Sequence, residues 1–230
     1  IRSNANVCED RIASLRGDAE HAVALNREQV ARFEDTELRL DHAKAQHNLA
    51  ESLCRRNTAG DLVDAASLYR QALKHRTLSV SPRHHWESSL GLARALTDLI
   101  QEEPEARYRL AEAHAALRNA LDAARLLGIG EELALTAISL ANLALVAPDD
   151  AYLRKLSRKA WRAFSEAAPY LLLRPTMRMT EAVLAVRMAF AFANLGGQTG
   201  VIAPLARGYA LGSAESQVVL TWLLRSEAPY

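Results

Sequence analysis

An all-α fold, built as an α-solenoid of antiparallel helix hairpins, is what this sequence predicts. Three observations carry the expectation. The first is a self-repeat: Gly17, Asp18, Ala22, Leu25, Arg27 and Val30 recur 43 positions later as Gly60, Asp61, Ala65, Leu68, Arg70 and Leu73. A period of that size is the mark of stacked helical units, each unable to bury its apolar side alone. The second is composition. Half of the 230 residues are hydrophobic, and Ala and Leu dominate that half while β-branched and aromatic residues are few. Ala and Leu lose little side-chain freedom in a helix, so the mix favours helix over sheet. The third is punctuation: the 10 Gly and 7 Pro are sparse and fall where hairpins should turn.

Taken in order, Asp18 is placed to cap a helix from 19 to about 33, because its carboxylate can accept from first-turn N–H groups. Glu34, Asp35 and Thr36 make a weak break before a helix over about 37–56. Asn57, Thr58, Ala59 and Gly60 read as a turn, with Asp61 as the cap of a helix over about 62–76. Ser79, Val80, Ser81 and Pro82 connect to a helix over about 84–101. Pro104 ends that pattern and suits the first turn of a helix over 105–127. Gly128, Ile129 and Gly130 form a loop. A helix over 131–146 stops at Ala147 and Pro148, and Asp149 and Asp150 cap the next, over 151–168. Pro169 and Pro175 bracket an apolar connection. A helix over 176–195 ends at Gly196 and Gly197, and shorter ones follow near 201–211 and 214–226. The expectation is nine to eleven helices, no sheet, and two regions: repeats over 1–168, then degenerate repeats and a C-terminal capping helix over 169–230.

The apolar spacing explains the pairing. Leu49, Ala50 and Leu53 share one helix face, as do Ala65, Tyr69 and Ala72 on the next helix. Ala50 and Ala65 permit close approach; Leu49, Leu53 and Tyr69 fill the space between.

These residues resemble the tetratricopeptide repeat. Leu49, Ala50 and Leu53, then Gly60, then Ala65, Tyr69 and Ala72 follow its pattern. The stretch 67–76, the Pro82 turn, and Trp86, Leu92, Ala93 and Leu96 resemble the longer kinesin-light-chain-type variant of about 42 residues. Ala160, Phe164 and Ala167 fit again; Ala106, Leu110 and Ala113 fit less well. The resemblance covers about 15–168 and implies a right-handed superhelix whose partners lie along the concave face, lined by the first helix of each hairpin. In that register the candidate partner-binding residues are Lys44, His47, Asn48, Glu51 and Arg55, then Glu87, Arg94, Thr97 and Asp98, and then Asn142. Some family members clamp a peptide carboxylate with Lys, Asn and Arg, for which Lys44, Asn48 and Arg55 have suitable groups. Leu90 and Gly91 replace useful polar groups in the second unit.

Net charge is +1, which conceals an asymmetry. Residues 1–150 hold 18 Lys and Arg against 23 Asp and Glu, whereas 151–187 hold 8 against 2. Arg154, Lys155, Arg158, Lys159 and Arg162 form a basic stripe at three- and four-residue spacing, which Arg174 and Arg178 could extend. It reads as a solvated face or as the contact for an acidic partner. Against nucleic acid stand the near-zero net charge and the lack of an aromatic platform between the cations.

No catalytic constellation, cofactor site or metal site stands out. His84 and His85 are adjacent and so point apart on a helix, and His42 and His47 miss the i,i+4 spacing. Gly128 and Gly130 lack the third glycine and preceding strand of a dinucleotide site. Cys8 and Cys54 make no disulfide framework and suggest free thiols in a reducing, cytoplasmic setting. No run is long enough to span a membrane; the apolar stretch 182–195 is short and contains Arg187. The chain starts at Ile1 without Met or signal peptide, which suggests a fragment of a longer protein. The stretch 218–224 is nearly all apolar and reads as a buried cap, or as a docking helix for another subunit.

The functional expectation is a non-catalytic interaction, scaffold or sensor module that binds a protein or peptide. The resemblance suggests a larger bacterial signalling or defence protein as its setting. The alternative is a helical regulator holding a small molecule or short peptide in an internal cavity, near Trp86, Tyr108 and Trp161.

Overall fold

The computed structural model describes residues 18–146 and, beyond them, positions 152, 155–156, 158–160, 162–163 and 166–167. The helices are α1 (Ala19–Glu34), α2 (Arg39–Arg56), α3 (Asp61–Leu73), α4 (Pro82–Glu102), a 3₁₀ segment (Pro104–Arg109), α5 (Leu110–Leu127) and α6 (Gly130–Leu145). The described positions between 152 and 167 are helical too, and no strand occurs among the described residues. Cys8 and everything expected of 169–230, including Arg174, Arg178 and the capping helix, lie outside them.

Each helix boundary has a local cause. Asp18 accepts from the His21 N–H at 2.9 Å and so caps α1 as its sequence suggests. The break after α1 is held by Thr36, whose hydroxyl donates to the Phe33 carbonyl at 2.8 Å. Asn57 ends α2 with φ +50°, a left-handed conformation that Asn tolerates, and Gly60 follows with φ +85°. Asp61 does not cap α3. It is the first helical residue, and its carboxylate turns back to take the Thr58 N–H (2.9 Å), the Thr58 hydroxyl (2.8 Å) and a two-pronged Arg56 guanidinium (2.6 and 2.8 Å). Arg56 also reaches Glu20 on α1 at 3.0 Å, so one side chain ties three helices. The hydrogen bonds from Arg56, foremost, hold the Asp61 carboxyl down to about 2.

Pro82 begins α4 where a missing N–H costs nothing. Two helices differ from the expected ones. α3 stops at Leu73, before the expected 76. The expected helix over 105–127 divides into a 3₁₀ turn and α5. Of the residues just after Pro104, only Ala106 is buried while Glu105, Arg107 and Tyr108 face solvent, so little packing favours the wider α-helical turn there.

The chain divides into two compact units, 1–123 and 124–230. The boundary expected near 168 lies outside the described residues. In the first unit each helix packs on the next in sequence from α1 to α4, and α2 also touches α4. Ala50 and Ala65 are fully buried, as are Ala43, Ala66, Ala72, Ala93 and Ala95, so the backbones lie close. In the second unit α6 buries Ala134, Ala137, Leu140, Ala141 and Leu143. Leu156, Ala160, Ala163 and Ala167 are fully buried as well, which accounts for helix there.

Candidate functional site

The face formed by α2 and α4 holds most of the side chains that the sequence marks as partner-binding. The side chain beneath it is Tyr69 of α3, only 2% exposed. Its ring meets the His47 ring edge-on at 5.4 Å, and its hydroxyl lies near the Cys54 thiol. On the α4 side the phenol end lies against Gly91. A Cβ at position 91 would come within 2.5 Å of the ring, so only glycine fits. Gly91 is therefore the condition for seating Tyr69, a role that a reading of position 91 as a lost polar contact does not anticipate.

His47 is buried rather than presented. Its Nδ1 lies 3.1 Å from the Ser88 hydroxyl, which also accepts from Arg76 Nη1 at 2.9 Å. Burial first, then the Arg76 and His84 charges, push the His47 pKa down to about 3, so the imidazole is neutral near pH 7. Arg76, itself buried, stands 3.9 Å from Glu87, and the His85 ring holds the Arg76 carbonyl at 2.7 Å. Thr97 is buried too and donates to the Ala93 carbonyl at 2.7 Å. Neither His47 nor Thr97 offers its side chain to an outside molecule.

Lys44, Glu51, Arg55, Arg94 and Asp98 do reach solvent, with Asn48 and Glu87 half-buried. Arg94 and Asp98 combine exposure with desolvation. Surrounding protein lowers the Arg94 pKa against the opposing pull of Tyr69, Asp98 and Glu51. It raises that of Asp98, aided by the Glu102 charge and opposed by Arg94. Both groups are thus exposed at the surface and partly screened from water by their neighbours. Burial, and the charges of Asp98 and Glu51, push the Cys54 thiol up to about 12, which keeps it protonated and inert as a nucleophile.

The remaining candidates lie elsewhere. Asn142 is half-buried on α6 in the second unit. Of the basic stripe, Lys155, Arg158 and Arg162 are exposed, Lys159 is half-buried, and Arg154 lies outside the described residues. Lys155 Nζ stands 6.0 Å from the centre of the Tyr152 ring. Trp86 is buried with the Arg83 guanidinium 5.3 Å from its ring, whereas Tyr108 is 74% exposed, which is not how a wall of an internal cavity behaves. The Trp161 side chain lies outside the described residues. His84 Nδ1 pairs with the Ser81 hydroxyl at 2.6 Å. No group of three metal-ligating side chains occurs among the described residues, and no helix there is long and apolar enough to cross a membrane.

Three contacts recur at nearly the repeat distance, and residue types alone do not announce them. His47 and Ser88 are 41 residues apart. Arg70 grips Glu112 with two hydrogen bonds, 2.5 and 2.9 Å, across 42 residues. Arg125 grips Glu166 the same way, 2.8 and 2.7 Å, across 41. The signal that could find them is the offset itself: complementary side chains one repeat apart. The chain matches no protein-family model, no curated protein and no solved structure.

Proposed function

We propose that this chain is an α-solenoid of tetratricopeptide-like hairpins, and that it acts as a non-catalytic interaction module. It would bind a protein or peptide segment along the face of α2 and α4, as the sensor or scaffold part of a larger protein. Support for the architecture comes from the contacts spaced 41 and 42 residues apart and from the contact between α2 and α4. The residues that carry the family resemblance, Leu49, Ala50, Leu53, Ala65, Tyr69 and Ala72, are all buried at the helix packing.

One observation carries the binding face. Arg94 and Asp98 are solvent-accessible and yet partly desolvated, on a surface whose floor is fixed by Tyr69 and Gly91. Pre-formed, partly dehydrated polar groups lose less on binding than groups on an open surface. Photo-crosslinking from position 94 in lysate of the source cell, with position 118 on α5 as the control, identifies the occupant. Its affinity should then fall by roughly tenfold or more with Lys44→Ala/Arg94→Ala, about the loss of one good polar contact or more. Arg118→Ala should leave it unchanged. A partner lost with Arg118→Ala and kept by the double variant would move the binding face elsewhere.

A further inference from the structure

Three pairs of repeat-equivalent positions on α2 and α4 carry opposite charges. Lys44 and Glu87, Glu51 and Arg94, and Arg55 and Asp98 are each 43 residues apart, and the sign reverses in all three. The two helices touch. Along α2 the order is plus, minus, plus; along α4 it is minus, plus, minus. We propose that these rungs, the middle one foremost, form an electrostatic strap that holds neighbouring hairpins stacked, loosening as ionic strength rises. The proposal takes the face as the interaction surface argued above and supplies its regulation.

The rungs differ in strength. In the middle one, Arg94 feels both Glu51 from α2 and Asp98 from its own helix. Glu51 also faces His47 Nε2 at 3.8 Å, but that imidazole is neutral near pH 7 and does not compete. Glu87 instead pairs with Arg83 at 3.3 Å and Arg76 at 3.9 Å, so the outer rung at Lys44 is the weaker one. Arg55 rests on the Ser52 hydroxyl at 3.2 Å, and Asp98 has Glu102 as a like-charged neighbour. The middle rung is therefore the main fastener. By contrast, Arg70 and Glu112 tie α3 to α5 through two aligned hydrogen bonds, a geometry that screening weakens less than it weakens looser pairs. Salt should thus loosen the α2–α4 face first.

A charge-swap cycle tests this. At low salt Glu51→Lys and Arg94→Glu should each lower the melting temperature by about 2–4 °C, the shift that about 1 kcal/mol gives a chain of this size. The double swap should recover most of that loss, and the coupling between the sites should shrink in high salt. Opening is read separately from the alkylation rate of Cys54 in a Cys8→Ser background, well below the melting point. That rate should rise several-fold with salt in the parent, be fast already in Arg94→Glu, and slow again in the swap. Additive losses, or a Cys54 rate indifferent to salt and charge, would overturn the strap. If the strap fails while Lys44→Ala/Arg94→Ala still abolishes partner binding, the binding face stands; if the swap rescues but no partner depends on Arg94, the strap stands without it.

Discussion

Asn26 on α1 and Tyr69 on α3 stand 43 residues apart, at equivalent places in the repeat, and both are buried. Their surroundings differ in kind. Asn26 donates through Nδ2 to the Ser52 hydroxyl at 2.9 Å, and Ser52 in turn donates to the Asn48 carbonyl at 3.1 Å and accepts from Arg55 at 3.2 Å. Tyr69 instead wedges a ring between His47 and Gly91. One junction is closed by directional polar bonds and the other by aromatic volume. The same backbone pairing thus tolerates two chemistries, one polar and one aromatic.

The comparison breaks most visibly at the ring. Tyr69→Ala should lower stability by about 3–5 kcal/mol, the range for emptying an aromatic site in a packed core. Denaturant titration measures it, and a loss near 1 kcal/mol would mean that the ring is not the wedge. Gly91→Ala acts on the same contact from the other side. Its Cβ would lie 2.5 Å from a ring that neighbours hold in place, so a loss of about 1–3 kcal/mol is expected. Adding Gly91→Ala to Tyr69→Ala should cost little more, because the clash is gone. Full additivity of the two losses would separate Gly91 from Tyr69.

Legibility in the sequence divides along the same line. Ala50, Ala65, Tyr69 and Ala72 announce burial through their spacing, and the turn at 57–60 announces itself through Asn and Gly. Asn26 and Gln29 do not: they look like a polar helix face and are buried, because apolar periodicity cannot report a polar side chain whose partner is 26 residues away. The identity of Asp61 suggested a cap, but its carboxylate found a stronger partner in Arg56 than the helix N–H groups. The α2–α4 face is the least legible feature. Family register names residues on both helices, but it could not separate exposed Arg94 and Asp98 from buried His47 and Thr97, which differ by how far each helix is rolled into its neighbour.

Proton uptake sharpens the contrast, because only the ring junction holds a buried imidazole. In the folded chain His47 titrates at about 3, and in the unfolded chain at its ordinary 6.5. Above 6.5 neither state binds the proton. As pH falls below 6.5 the unfolded chain takes it up first and stability drops, by about 2 kcal/mol at pH 5, with the loss continuing to about pH 3. Urea unfolding at pH 7 and pH 5 should show this drop, and His47→Gln should flatten it. A slope unchanged by that substitution would assign the acid sensitivity elsewhere.

The smallest effect belongs to the polar junction. Ser52 has Ala95 as its repeat equivalent, also fully buried, so the alanine backbone and volume already suit this position. Ser52→Ala should nevertheless lose about 1 kcal/mol, since it removes the acceptor for both Asn26 and Arg55. Asn26→Ala should lose at least as much, and adding Ser52→Ala to it should cost little more, because the two side chains share one hydrogen bond. Urea midpoints of the two single variants and the double variant decide the matter. If the two losses add in full, the amide and the hydroxyl act independently, and the first junction is not closed by their bond.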